Sequence, residues 1–175
     1  MKKYFLVSLA LVMILSTFAM AASISTRAAA DQPTILEFNT MTGVSRPYTG
    51  AANPIRNLSG GGLPWVIRFA QGELKANGKL EITIRGLVLD PKDPDVIARG
   101  IGGTNPSPTF MAIVSCLSKD TSGNPVTTNV STAQFPTSKT GNAKIEASIQ
   151  LPKPCIAPII FITSPTGAWF AANGF

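Results

Sequence analysis

Two stretches of the chain alternate apolar and polar residues with period two. Ala143, Ile145, Ala147, Ile149 and Leu151 are separated by Lys144, Glu146, Ser148 and Gln150. Leu80, Ile82 and Ile84 are separated by Glu81 and Thr83. Successive side chains of a strand point to opposite faces, so each stretch predicts a strand with one buried and one wet face. Pro152 and Pro154 stop the first. Gly86 interrupts the second, and Leu87-Val88-Leu89 beyond it reads as a bulge followed by a segment buried on both sides.

The turn ahead of Leu80 sets a register. A two-residue loop at Asn77-Gly78 would place Leu74 opposite Glu81 and mix apolar with charged residues on one face. A three-residue loop, Ala76-Asn77-Gly78, pairs Leu74 with Leu80 instead, with Gly78 left-handed in a bulged turn. Lys75 and Glu73 then reach Glu81 and Lys79 diagonally on the wet face. The second register is the expected one.

Further strands are expected over 34–40, 64–69, 109–117, 126–133, 158–163 and 168–171, with turns at 122–125 and 164–167. No segment holds a helical period, and none repeats at fixed spacing. Eight or nine short strands predict an all-β fold, an antiparallel β-sandwich of immunoglobulin-like or jelly-roll-like type, as a single domain over 34–175. Residues 41–62 and 90–108, rich in Gly, Pro, Ser and Asn, are long loops, either functional surfaces or mobile segments.

The N-terminus reads as an address. Lys2 and Lys3 precede an apolar run over 4–18, and Ala19-Met20-Ala21 gives small residues before a cleavage point. This is the three-part pattern of a secretory signal peptide over 1–21, followed by a flexible segment over 22–33. A second cut before Asp31 is an alternative. The apolar run is shorter than the roughly 20 residues of a membrane-spanning helix. The remaining chain has no second long apolar segment, so no transmembrane segment is expected in the mature protein. The expected location is secreted, extracellular or at the cell surface.

Export makes the cysteines readable. Cys116 and Cys155 are the only two, and in an oxidising compartment an even pair predicts a disulfide. The chain contains no His, which excludes imidazole triads and His-ligated metals. Its net charge of +6 comes from scattered Lys and Arg rather than a basic run, so no nucleic-acid partner is expected.

Few residues offer chemistry. Asp90, Asp93 and Asp95 form the one acidic cluster and could hold Ca²⁺ through oxygen ligands. The spacing is not that of an EF-hand, and a solvated loop explains it equally; no other cofactor is expected. Glu37, Glu73, Glu81 and Glu146 are candidates for a carboxylate pair acting on glycosides, although Glu81 and Glu146 fall on wet strand faces where an acid needs no special reason. Gly60-Gly61-Gly62 lacks the Lys-Ser/Thr of a phosphate loop. Trp65, Trp169 and Tyr48 would suit sugar stacking or a protein partner if exposed, and core packing if buried. The terminal Phe175 raises an outer-membrane barrel, against which stand proline-interrupted strands and few aromatics.

The segments Gly62-Leu63-Pro64-Trp65, Gly86-Leu87-Val88-Leu89, Val114-Ser115-Cys116, Pro154-Cys155-Ile156-Ala157-Pro158 and Gly167-Ala168-Trp169-Phe170-Ala171 resemble a group of small exported bacterial proteins of unknown function. The resemblance covers most of the chain from about Gly60. It implies a compartment, fits the disulfide and transfers no catalytic residue. The functional expectation is a non-catalytic extracellular binding or cell-envelope module with a protein or glycan partner. The alternatives are a small carboxylate-based glycan hydrolase and a calcium-dependent adhesion module.

Overall fold

The structure, a computed structural model, describes residues 32–173. The expected signal peptide, most of the segment that follows it, and Phe175 lie outside the described residues.

In chain order the strands are β1 (Thr34–Phe38), β2 (Thr42–Gly43), β3 (Trp65–Val66), β4 (Phe69–Lys75), β5 (Lys79–Arg85) and β6 (Val88–Leu89). A short helix α1 (Pro94–Ala98) follows, then β7 (Thr109–Lys119), β8 (Pro125–Ser131), β9 (Phe135–Pro136), β10 (Ala143–Ser148), β11 (Ile156–Thr163) and β12 (Trp169–Ala172). The protein is all-β. One sheet, here sheet A, has the order β1-β4-β5-β10. Sheet B has the order β2-β12-β11-β7-β8, with β9 also on β7. Strands β3 and β6 form a separate pair. Every pairing between strands is antiparallel. Both sheets contribute to one apolar core in a sandwich-like arrangement.

The hairpin register is the one the apolar pattern dictates. Leu74 pairs with Leu80, and both are fully buried. Gly78 sits at φ +85° and its N–H donates to the Lys75 carbonyl at 2.8 Å. A side chain there would also strike the Ile149 carbonyl oxygen, which lies 1.8 Å from an ideal Cβ. Ion pairs run along each strand, Lys79 to Glu81 at 2.6 Å and Lys75 to Glu73 at 3.9 Å. Glu73 and Glu81 stand directly opposite one another.

Several expected elements are divided. The expected strand over 64–69 is two strands in different sheets, β3 and β4, separated by Ile67 and Arg68. Gly86, at φ +70°, takes the chain out of sheet A rather than bulging it. Leu87 and Leu89 beyond it are buried, but Val88 between them is only half-buried, so the segment is buried on one side rather than on both as expected. The alternation at 143–151 continues past the end of β10, since Ile149 is still buried.

The disulfide joins Cys116 to Cys155 across 4.9 Å between Cα atoms. Cys116 is a buried residue of β7, and Cys155 lies on the crossover from β10 in sheet A to β11 in sheet B. The bond therefore ties that crossover to the middle of sheet B.

Both long loops are folded onto the core. Over 41–62, Met41 and Val44 are buried, Val44 N–H donates to the Phe170 carbonyl, and Gly61 N–H donates to the Trp169 carbonyl. Its tip is a tight turn in which Ile55 and Leu58 exchange both backbone hydrogen bonds, with Arg56 and Asn57 at positive φ. Over 90–108, Val96 is buried, and so is Asn105, whose side chain bonds the Ser107 and Ser138 carbonyls.

These loops create an asymmetry. In sheet B, β12 is buried at all four positions and β7 over five consecutive residues, so both faces are covered there. In sheet A, β5 alternates buried residues with exposed or half-buried ones from end to end. One face of sheet A is open to solvent.

Candidate functional site

The open face of sheet A carries an ordered array of polar side chains. Glu37 pairs with Glu73, Glu73 with Glu81, and Glu81 with Glu146. Four glutamates, one from each strand, thus form a single row across the sheet. With strands about 4.8 Å apart, the row is about 14 Å long. Beside it runs a second row, Gln71, Thr83 and Lys144. On the other side, near the hairpin end, lie Thr34, Lys75, Lys79 and Ser148. Beneath Glu37 and Glu73 the surface dips into a shallow groove of about 260 Å³, with Asn39, Gln71 and Gly72 among its lining.

Like charges placed directly opposite one another on a sheet repel. Lysines offset this here. Lys144 reaches Glu146 at 2.5 Å, and Lys79 and Lys75 pair as described. The hydrogen bond from Lys79, and then its charge, hold the Glu81 carboxyl below the usual carboxylate range. The hydrogen bond to Glu146 correspondingly raises the Lys144 ammonium. Thr34 Oγ1 also donates to Glu73. The face is thus a lattice of carboxyl and amino groups, with amide and hydroxyl groups between them.

The four candidate carboxylates of the sequence are therefore brought together. Strand register between distant segments places Glu37 and Glu146 in line with the hairpin pair, and no short motif encodes that. Gln71, Thr83 and Asn39, which line the same face, were not singled out from the sequence. The signal for the first two was their polar alternation with the buried Ala70, Ile82 and Ile84.

The acidic cluster has a different surrounding. Asp93 caps α1, its carboxylate accepting from the Asp95 and Val96 N–H groups. Arg46, from the loop after β2, pairs with Asp93 at 3.2 Å and with Asp95. The hydrogen bonds that Arg46 donates to Asp95 and Asp93 raise its guanidinium further. Asp90 accepts from the Lys92 N–H in a local turn. An ion taking Asp93 and Asp95 as ligands would have to displace Arg46. Among the described residues no group of three or more acidic, Cys or His side chains is arranged to hold a metal ion.

The aromatic candidates separate into two environments. Trp65 is buried, stacked on Phe170 with centroids 4.0 Å apart and edge-on to Phe110. Trp169 is buried edge-on to Phe161. It shares with Tyr48 a small cavity of about 230 Å³, also lined by Thr42, Ser45 and Ile55. Its indole N–H is buried without an acceptor among the described residues. Tyr48 is exposed, whereas Trp169 is only 3 % exposed and offers no open ring face for stacking. No helix among the described residues is long and apolar enough to cross a membrane. Comparisons with protein-family models, curated protein sequences and solved structures gave no match.

Proposed function

We propose that this protein is an exported, non-catalytic binding module of the cell envelope or extracellular space, and that it binds a polyhydroxylated glycan on the open face of sheet A. The supporting observation is the register-aligned row Glu37, Glu73, Glu81 and Glu146 beside Gln71, Thr83 and Lys144. Carboxylates, amides and ammonium groups repeating at strand spacing supply both acceptors and donors for sugar hydroxyls. Trp65 and Trp169 are both buried rather than presented for stacking, and the disulfide suits an oxidising compartment.

The hydrolase reading has one observation in its favour. Directly opposed residues such as Glu73 and Glu81 have Cβ atoms about 5 Å apart, which approaches the carboxyl separation of retaining glycosidases. That chemistry needs one carboxyl kept protonated near neutral pH. Glu81 is pushed the opposite way by Lys79, so the binding reading is preferred.

The test is retention of the purified protein on affinity gels containing β-glucan, mannan or oligomers of N-acetylglucosamine. Retention on one of these that is lost in Glu73→Ala/Gln71→Ala, with no reducing ends released over time, supports the proposal. Absence of retention on all three, unchanged retention by the variant, or release of reducing ends refutes it.

A further inference from the structure

We propose that β8 is a self-complementary edge through which two copies of this chain pair as a two-fold dimer, joining their B sheets into one. Sheet edges expose backbone donors and acceptors, and proteins that remain single chains blunt them with charge, bulges, proline or brevity. The other edges of this sandwich are blunted. Strand β1 carries Glu37 and a register shift between Thr34 and Leu36. Strand β10 presents Lys144 and Glu146, and β2 is two residues long.

Strand β8 has none of these devices along its length. It pairs with β7 in unbroken register over seven residues, and among the described residues it has no other strand partner. Its one proline, Pro125, stands at the first position. Residues 121–138 contain no charged side chain. Val130 packs against the core and alternation puts Val126 and Thr128 on its side, while Asn129 and Ser131 on the other side are exposed. Val126, Thr128 and Val130 are nonetheless only half-buried, because no strand lies beyond them.

The order of residues selects a second copy as the occupant. With a two-fold axis through Thr128, antiparallel pairing sets Val126 against the second copy's Val130, Thr127 against its Asn129, and Thr128 against itself. Each of these pairs sets valine against valine, or hydroxyl against hydroxyl or amide, which are favourable cross-strand combinations. The pairing keeps the half-buried valines of both copies on one side. Moving the axis to Thr127 or Asn129 sets a valine against a threonine. Pro125 has no N–H and limits the new ladder at its end. The dimer leaves the open face of sheet A free, so it is independent of the glycan reading.

The test is sedimentation velocity of the purified full chain over a wide concentration range, with two charged variants. The wild type should show a concentration-dependent shift from monomer to dimer. Thr127→Lys/Asn129→Lys and Thr127→Glu/Asn129→Glu should each be monomeric, because like charges face one another across the axis. An equimolar mixture of the two should recover the dimer. Thr127→Lys alone keeps the hydrogen bond from Asn129 to the Arg56 carbonyl and should show a weaker loss, which guards against misfolding of the double variants. A wild type that stays monomeric throughout, or charged variants that dimerise as it does, overturns the proposal.

Discussion

Breaking the Cys116–Cys155 disulfide should lower stability by an amount set by the chain it closes. The cysteines are 39 positions apart. The chain-entropy relation gives about 4 kcal/mol at 25 °C for a ring of that size. Reduction leaves two thiols that still pack as small apolar side chains, so it adds no cavity at the fully buried Cys116. Urea unfolding followed by tryptophan fluorescence, with and without a phosphine reductant, reads the difference. With an m-value of about 2 kcal/mol/M, the midpoint should fall by about 2 M. Cys116→Ala/Cys155→Ala should fall further, because it also removes the sulfur of the fully buried Cys116 and that of the half-buried Cys155. A reduced protein whose midpoint moves by less than about 0.5 M would refute the reasoning. The unfolded chain would then already hold its β10–β11 crossover near β7.

Three other outcomes follow from the same geometry. Gly78→Val should lose more than the 1–2 kcal/mol or so of a left-handed backbone alone, because its Cβ also meets the Ile149 carbonyl; urea unfolding measures it. Phe170→Ala removes the ring that stacks on Trp65 and should cost about 3–5 kcal/mol, with a change in Trp65 fluorescence. Glu81 has a depressed carboxyl in the folded chain, so its contribution is complete above the unfolded value of about 4.3 and is lost as pH falls through the lower folded value. Melting temperature measured against pH should therefore drop less steeply on the acid side for Glu81→Gln than for wild type; equal slopes count against the Lys79–Glu81 pairing.

What the sequence makes legible is what one buried face imposes. Leu80, Ile82 and Ile84 alternate with polar residues because each lies against the core, and Leu74 can reach that face only in the register with the three-residue loop. The disulfide is legible because two cysteines allow one pairing. The helix at Pro94–Ala98 is too short to show a period; its signal is Asp93 as a cap with Pro94 directly after it. The two-residue strands fall below any alternation pattern. The separation of β3 from β4 is likewise set by partners remote in sequence, Leu89 for Trp65 and Arg85 for Phe69. The glutamate row is the clearest case. Glu37, Glu73, Glu81 and Glu146 each look like ordinary wet-face acids, and only the register of four strands reveals that they line up. Asp93 and Asp95 show the converse, since their partner Arg46 is nearly fifty residues away in the chain.

The central claim is that recognition occurs on the open face of sheet A. It is tested most directly by amide chemical-shift mapping of the isotope-labelled protein titrated with soluble β-glucan, mannan and N-acetylglucosamine oligomers. The account predicts shifts concentrated on β1, β4, β5 and β10, strongest at Gln71, Glu73, Glu81, Thr83 and Lys144. Shifts confined to the cavity beside Tyr48 and Trp169, or an unperturbed sheet A at saturating concentrations of all three, would contradict it.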